Sequence, residues 1–286
     1  MSNIKAEVLL ATRHTEKSKT GLITIVLEVP YYVWVEFLTH RRISKNATSN
    51  RAMKMERNVE MGYYIPDVFY TQGEGMASSR TPVENQAKAL ETWKMVWGYS
   101  VACFHGLTQL GVSREQASRV LPAFKMMKGI ATGTEDAWAK FLELRDNPLA
   151  DVAMQDFAAK VKSAIENAEW KIHFQHVPYM TEEQGEASYP WSVVVLECAA
   201  RIARVSYDKA GSGKSDYELG KRLLQNKHMS CFDHIAIYRD EPDLSPLTCK
   251  QEDMSHLNDL GDGFLVSQGW ETARCMIERG DYFGQP

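Results

Sequence analysis

The chain has 286 residues, of which 44% are hydrophobic and 24% are charged, and its formal net charge is -4. This composition is typical of a soluble globular protein with a real core, and the mild negative charge argues against a general nucleic-acid coat, which is normally basic. No apolar run approaches the roughly 18 residues of a membrane span, and the N-terminus shows no signal-peptide pattern. We therefore expect a cytoplasmic protein without a membrane segment.

The first half of the chain is predicted to be rich in helices. Residues 21–30, GLITIVLEVP, predict a strand that ends at Pro30, and YYVWVEFLTHR predicts a buried helix directly after it. Residues 61–84 are predicted to be loop. Apolar spacing and capping signals then predict a largely helical core, with helices at 84–111 (closed by Gly111), between Ser113 and Pro122, at 135–145 (capped by Thr134) and at about 149–168.

The pattern changes after residue 170. An irregular segment containing Pro and Gly predicts a connection between modules. SVVVLECAARIARVSY (192–207) is predicted to begin as a strand and to continue as a helix. Further along, DYELGKRLLQN predicts an amphipathic helix, HIAIYRD a short strand, and WETARCMIERG a final helix that Gly280 stops.

Common motifs for cross-links, phosphate loops and metals are missing from the sequence. An odd number of scattered cysteines predicts thiols used as small core residues in a reducing compartment, and they are Cys103, Cys198, Cys231, Cys249 and Cys275. Neither G-x-x-x-x-G-K-[ST] nor G-x-G-x-x-G occurs. His173 and His176 lie three residues apart, but their segment supplies no third ligand, so we predict no metal site.

The stretch Thr39–Arg51, THRRISKNATSNR, concentrates cations, hydroxyls and amides where the second predicted element ends. A solvated helix end would explain Arg41 and Arg42, since cations complement the helix dipole, but not the hydroxyls and asparagines that follow. A nucleic-acid-binding arm is a second interpretation, although such arms usually belong to basic domains. A pocket for small anions is the third, because arginine forks grip phosphate and hydroxyls complete its shell. The residues alone leave all three open.

The same stretch resembles the signature of the flavin-dependent thymidylate synthases, R-H-R-x-x-S-x-N-E-x-S-x-R. The matching residues are His40, Arg41, Ser44, Asn46, Ser49 and Arg51. Thr39 and Ala47 stand in place of the first arginine and the glutamate. Further segments are similar to other motifs of the family, namely EQASRVLP (115–122), FLELR (141–145), ARVSY (203–207) and HMSCFDH (228–234).

The order of these motifs is unusual, because the last two precede R-H-R in common members of the family and follow it here. The chain therefore resembles a longer, rearranged branch of the kind found in phage genomes, whose C-terminal segment must fold back beside residues 30–51. The resemblance implies an α+β fold with a helix-rich core and a mixed or antiparallel sheet. It also implies one catalytic domain, 1–286, in which 1–170 carries the R-H-R-like motif and the helical core and 190–286 completes the flavin site.

The resemblance implies that the protein methylates dUMP to dTMP. In this family reduced FAD mediates transfer of a methylene group from methylenetetrahydrofolate, and NADPH reduces the flavin, so the cofactor carries the chemistry and no protein nucleophile is required. We expect small-molecule nucleotide and folate substrates and a homo-oligomer, a tetramer with sites between subunits. We expect no membrane partner and no nucleic-acid partner.

Carried over position by position, the resemblance assigns FAD binding to His40, Arg41, Ser206, His234 and Thr134. It assigns nucleotide binding to Ser49, Asn50, Arg51, Arg145 and Arg119. Ser49 and Arg145 would also act in catalysis, and Arg145 would stabilise negative charge developing on the pyrimidine ring.

Several positions depart from the family pattern. Ser118 stands where the family has a nucleotide-binding arginine, and on a helix the neighbouring Arg119 would point about 100° away. Ala47 removes a carboxylate, Thr39 removes a cation, and Thr134 replaces an asparagine. These changes keep open a related reaction, hydroxymethylation of dUMP or methylation of another pyrimidine deoxynucleotide in a phage with modified bases. A non-catalytic nucleotide- or nucleic-acid-binding protein is the remaining alternative.

Overall fold

A five-stranded sheet forms the centre of the fold. The computed structural model describes residues 3–18, 20–49, 53–71, 81–186, 189–206, 213–239 and 269–280. The strands of this sheet are β1 (Lys5–Arg13), β2 (Leu22–Pro30), β3 (Ile43–Ala47), β4 (Met126–Thr134) and β5 (Trp170–Ile172). Their order is β3-β4-β2-β1-β5, and β5 pairs with β1 in parallel while the other pairs are antiparallel. The predicted α+β class with a mixed sheet is therefore confirmed.

Strand β2 is covered on both faces. Ile23 and Ile25 belong to the larger core cluster on one face, and Leu22 packs with Trp270 on the other. A strand that is buried on both faces is expected to be a continuous apolar run, and this explains why β2 was predicted so clearly from the sequence.

Three helices cover the first face of the sheet. They are α1 (Tyr31–Phe37), α5 (Glu135–Arg145) and α6 (Val152–Glu166). Phe37 touches Phe141 and Phe157 edge to face, with ring centroids 5.3 and 5.2 Å apart. The predicted helices at 135–145 and 149–168 are confirmed, and Thr134 caps α5 as expected, since its Oγ1 accepts a hydrogen bond from Ala137 N at 3.2 Å.

A second group of helices lies further out. Its members are α2 (Met55–Glu60), α3 (Gln86–Gln109) and α4 (Arg114–Ala117). Helix α3 confirms the prediction for 84–111, and Gly111 has a φ of +79° after its end. Ser113 caps α4, with its Oγ accepting from Gln116 N at 3.3 Å. No helix in the described part of the chain is long and apolar enough to cross a membrane.

The C-terminal part of the chain covers the second face of the sheet. It contains β6 (Gln175–His176), α7 (Trp191–Ala203), α8 (Gly213–Gln225), β7 (Ala236–Tyr238), β8 (Trp270–Thr272) and α9 (Ala273–Arg279). The three strands form a small antiparallel sheet, β6-β7-β8. Helices α7 and α8 touch closely, because a Cβ on Gly220 would lie 2.2 Å from the carbonyl oxygen of Leu196.

Several sequence-based expectations were wrong in detail. Helix α1 ends at Phe37, and residues 43–47 of the stretch expected at its end form β3. Residues 191–203 are helical from the first residue rather than beginning as a strand, and residues 270–272, expected in the last helix, form β8. Strands β1 and β4 were not predicted. The apolar alternation in both segments is weak, so local propensity does not mark them as strands. They form strands because they pair with β2 across the sheet.

Candidate active site

The motif stretch forms an edge strand whose two faces meet different parts of the protein. Alternation along β3 directs Ser44 and Asn46 towards the C-terminal half of the chain and Lys45 towards α1. Asn46 Nδ2 donates to the carbonyl oxygen of Ile202 in α7 at 3.4 Å. This contact confirms the expectation that the C-terminal segment folds back beside residues 30–51.

His40 and Arg145, both predicted to bind ligands, are in direct contact. Arg145 Nε donates to His40 Nε2 at 2.9 Å, and its guanidinium also forms an ion pair with Glu36 in α1. Because Nε2 accepts, the ring hydrogen of His40 resides on Nδ1. Burial, followed by the charges of Arg145 and Lys45, lowers the pKa of His40 to about 4, so the imidazole is neutral at pH 7.

Lys45 is a half-buried cation that the sequence analysis did not single out. Its Nζ donates to the carbonyl oxygens of His40 and Ile43 and lies 4.9 Å from the centroid of the Phe37 ring. Burial lowers the pKa of Lys45 to about 8. Its charge lowers the pKa of both His40 and His234, so one ammonium acts on both predicted flavin-binding histidines. The motif pattern specifies no residue type at this position, so no sequence signal marks Lys45.

A chain of buried hydroxyls and imidazoles connects the sheet to the C-terminal part. Thr12 Oγ1 lies 3.0 Å from His176 Nδ1, and His176 Nε2 lies 2.8 Å from Thr24 Oγ1. Thr24 Oγ1 lies 2.6 Å from Thr132 Oγ1, which lies 2.8 Å from His234 Nδ1. His234 Nε2 is buried and has no hydrogen-bond partner among the described residues. Burial, with smaller contributions from neighbouring charged or titratable groups, lowers the pKa of both histidines to about 3.

A cavity of about 310 Å³ opens where β3 ends, and we call it the Lys125 cavity. Tyr31 and Trp34 supply aromatic wall, and Gly129 in β4 leaves room for the indole, since a Cβ there would lie 2.5 Å from the ring. Lys125 is buried, and its Nζ donates to Asn58 Oδ1 at 2.8 Å. Burial lowers the pKa of Lys125 to about 8.

The two clearest departures from the family pattern meet in the Lys125 cavity. Ala47 and Thr48 line it from the motif strand, and Ser118 and Arg119 line it from the turn after α4. Residues 118–120 form a tight 3-10 turn instead of continuing the helix. Successive residues of a 3-10 turn point about 120° apart, yet Ser118 and Arg119 both border this cavity, and the nucleotide-binding role of Arg119 stays a prediction.

The other predicted ligand-binding residues are spread over the fold. Arg41 and Ser49 are exposed, one before β3 and one after it. Thr134 is fully buried, and its hydroxyl caps α5. Ser206 belongs to the turn that follows α7. Asn50, Arg51 and the side chain of Ser206 lie outside the part of the chain that the structure describes.

The fold and the site define an α+β enzyme built around a motif-bearing edge strand, with the half-buried Lys45 and the buried Lys125 beside it. The family model for "Thymidylate synthase complementing protein" matches residues 5–169, more than half of the chain, so this protein belongs to the flavin-dependent thymidylate synthase family and is an enzyme of that type. The match ends before ARVSY (203–207) and HMSCFDH (228–234). The roles of these two segments therefore rest on their own resemblance.

Two solved structures are similar to this chain in fold. Both are of the UMP/dUMP methylase PolB from Streptomyces cacaoi, and both are 18% identical to this chain and cover 58% of it. The one bound with 5-Br dUMP has a TM-score of 0.50 with 90% of that chain covered, and the one bound with 5-Br UMP has a TM-score of 0.49 with 89% covered. No curated protein matches the chain significantly.

The buried histidines predict a loss of stability in mild acid. The pKa of both His176 and His234 is lowered to about 3 in the folded protein, so between about pH 6.5 and pH 5 the unfolded chain binds protons that the folded protein does not. The free energy of unfolding should therefore fall as pH falls, by up to about 1.4 kcal/mol per pH unit for each histidine. Urea unfolding at several pH values measures this slope. A His176→Asn variant should show a shallower slope, and an unchanged unfolding free energy across the window would contradict the prediction.

Proposed function

We propose that the protein methylates dUMP to dTMP, with methylenetetrahydrofolate as the carbon donor, FAD as the cofactor and NADPH as its reductant. Family membership supports a flavin-dependent enzyme that uses a folate. The observation that carries the proposal is the placement of the motif strand. It runs from the His40–Arg145 contact at one end to the aromatic, cationic Lys125 cavity at the other.

The Lys125 cavity has the chemistry to hold a nucleotide monophosphate. Its volume lies at the lower end of the roughly 300–1,000 Å³ that is usual for small-molecule sites. Arg119 and Lys125 offer cations to a phosphate, and Trp34 offers an apolar surface to a pyrimidine ring. Ser49, predicted to bind the nucleotide, directly follows Thr48 on the cavity wall. An anion would also offset the cost of burying the Lys125 ammonium.

The residues along β3 fit a flavin. Neutral His40, the Arg145 guanidinium and the Lys45 ammonium supply donors suited to the anionic and carbonyl groups of FAD. His234 adds a buried Nε2 that has no partner in the described chain. When bound, reduced FAD supplies the electrons with which the transferred carbon becomes a methyl group. The protein's part is to bind, to orient and to exclude water.

Two buried thiols, Cys198 and Cys231, are unsuited to act as nucleophiles, which supports a route that uses neither of them. Cys198 and Cys231 are buried, and burial raises the pKa of each thiol to about 12. A thiol needs a lowered pKa and access to substrate to act as a nucleophile, and neither condition holds for these two. This agrees with their predicted use as core residues, whereas Cys103 is exposed on α3.

Titration of FAD and dUMP tests the proposed activity. The flavin absorbance band should change when FAD is added to the protein and should change again when dUMP is added. An Arg119→Ala variant should bind dUMP roughly 10- to 100-fold more weakly, because a charge-assisted hydrogen bond contributes about 1.5–3 kcal/mol. Arg222→Ala, an exposed arginine on α8, is the matched control and should leave the affinity unchanged. Failure of the wild-type protein to bind FAD would rule out the proposal.

A second candidate is methylation or hydroxymethylation of a related pyrimidine nucleotide. Ala47 and Ser118 both line the Lys125 cavity, so the cavity has lost one carboxylate and one guanidinium relative to the family pattern. The lost carboxylate and the lost guanidinium have opposite charges. Their loss therefore alters the space and the hydrogen bonding in the cavity more than its net charge. The fold neighbour is described as a UMP/dUMP methylase, which makes UMP a reasonable probe beside dUMP.

Restoring the family residues tests this second candidate. If the cavity is enlarged for another substrate, the wild-type protein should bind UMP or a nucleotide with a larger 5-substituent at least as tightly as dUMP. The double variant Ala47→Glu, Ser118→Arg should reverse that preference in the same calorimetric titrations. Equal preference for dUMP before and after the change would argue against a redirected substrate. Membership of an enzyme family argues against a non-catalytic nucleic-acid-binding role.

We also propose a cytoplasmic homotetramer. Helix α3 exposes Met95, Val96 and Tyr99, with 47%, 45% and 69% of each residue accessible, and Tyr99 follows the other two by four and three residues, on the same face of the helix. Apolar side chains clustered on one surface are typical of subunit contacts. Light scattering should therefore give a mass near four times 32.5 kDa, and Tyr99→Glu should reduce it. A wild-type mass of 32.5 kDa would contradict the tetramer.

A further inference from the structure

The hydroxyl–imidazole chain crosses the interface between the sheet and the C-terminal part of the protein. Thr24 and Thr132 are direct partners across β2 and β4, so their hydroxyls share one face of the sheet. His176 and His234 come from the segments that cover this face. All of these residues and Thr12 are at most 1% exposed. Solvent therefore cannot satisfy any hydrogen-bonding group that the chain itself leaves unpaired.

The hydroxyl–imidazole chain has one more polar hydrogen atom than it has hydrogen-bond contacts. Each of the three threonine hydroxyls has one hydrogen, and each neutral imidazole has one ring N–H, which makes five hydrogens for four contacts. Both imidazoles are neutral because burial lowers the pKa of each to about 3. Since both ring nitrogens of His176 make contacts, its hydrogen always lies within the chain. The surplus hydrogen must be at a threonine or at His234.

The geometry favours a surplus hydrogen on His234. If it sat on Thr24 or Thr132, a buried hydroxyl hydrogen in the middle of the chain would have no acceptor among the described residues. If it sat on Thr12, two groups would be unpaired, the Thr12 hydrogen and the lone pair of His234 Nε2. With the hydrogen on His234 Nε2, this N–H is the one unpaired donor of the chain. Each buried unpaired group destabilises the protein, so the arrangement with the fewest unpaired groups should dominate.

We propose that Thr12, His176, Thr24 and Thr132 are positioning residues that keep the ring hydrogen of His234 on Nε2, ready to be donated to an acceptor atom of the bound flavin. The proposal rests on the proposed function, because His234 is assigned to the flavin there. The proposal gives Thr12, which lies on β1 and is distant from His234 in the sequence, a role in the flavin site. Each group donates its hydrogen to the next one, so donation by Thr12 at one end leaves the ring hydrogen of His234 on Nε2 at the other end.

Substitution of Thr12 tests this coupling. Thr12→Val removes the hydroxyl. Donation in either direction along the hydroxyl–imidazole chain then leaves the same number of unpaired groups, so the preference for a hydrogen on Nε2 of His234 should disappear. Thr12→Ser keeps a hydroxyl and should keep the preference. Val177→Ala, which shortens a buried side chain next to His176, controls for general destabilisation. The position of the hydrogen is read from the imidazole ¹⁵N resonances of His234 in the protein without ligand.

The expected result is Nε2–H in the wild-type, Thr12→Ser and Val177→Ala proteins, and a mixture of both tautomers in Thr12→Val. A His234 hydrogen on Nδ1 in the wild-type protein would overturn the proposal, as would a Thr12→Val spectrum identical to that of the wild type. These spectra need no cofactor. They therefore decide the coupling even if the protein proves not to bind FAD and the proposed function fails.

Binding of FAD gives the second readout. Loss of one net hydrogen bond should weaken the affinity of Thr12→Val for FAD by roughly two- to tenfold, with no change in Thr12→Ser. Added FAD should also move the Nε2 resonance of His234 in the wild-type protein. Weaker FAD binding in Thr12→Val without any change of tautomer would assign Thr12 a merely structural role and overturn the proposal. FAD binding that leaves the Nε2 resonance unmoved would remove the flavin as the acceptor.

Discussion

The structure depends on the burial of β2 and β4 on both faces. The helices that follow these strands cover one face with aromatic rings, and the C-terminal segments cover the other. The first covering is apolar and non-directional. The second includes the hydroxyls of Thr24 and Thr132, which cost free energy when buried unless they are hydrogen-bonded. Their pairing with two histidines from the C-terminal part therefore specifies how this part must sit on the sheet.

The motif presents side chains on both sides of the sheet because residues 43–47 form a strand. In the described sheet β3 is an edge strand that pairs with β4. Lys45 faces α1 and the His40–Arg145 contact, and Ser44 and Asn46 face the segments that carry His234. The strand thus lies between the predicted flavin histidines. The same short sequence orients groups on two faces because its side chains alternate.

Two lysines set the electrostatics of this region. Burial lowers the pKa of both Lys45 and Lys125 to about 8, which means that each ammonium is held at a cost in desolvation. Lys45 offsets part of that cost through backbone carbonyls, and Lys125 through Asn58. An anionic ligand nearby would offset more of that desolvation cost, and this is the physical reason to connect both positions with nucleotide and cofactor.

The sequence by itself determined the local features of this protein. The continuous apolar run of β2, the periodicity of α3, the caps at Ser113 and Thr134, and the family motif are all readable within a few residues. The motif also identified the family without the structure. Tertiary structure alone decided the rest, since Thr24 and Thr132 are 108 positions apart and nothing local marks them as partners. It made strands of β1, β3 and β4, brought Ala47 and Ser118 to one cavity, and closed the chain that ends at His234. These features depend on which strands pair and in what register, and pairing between distant segments leaves only a weak trace in either segment.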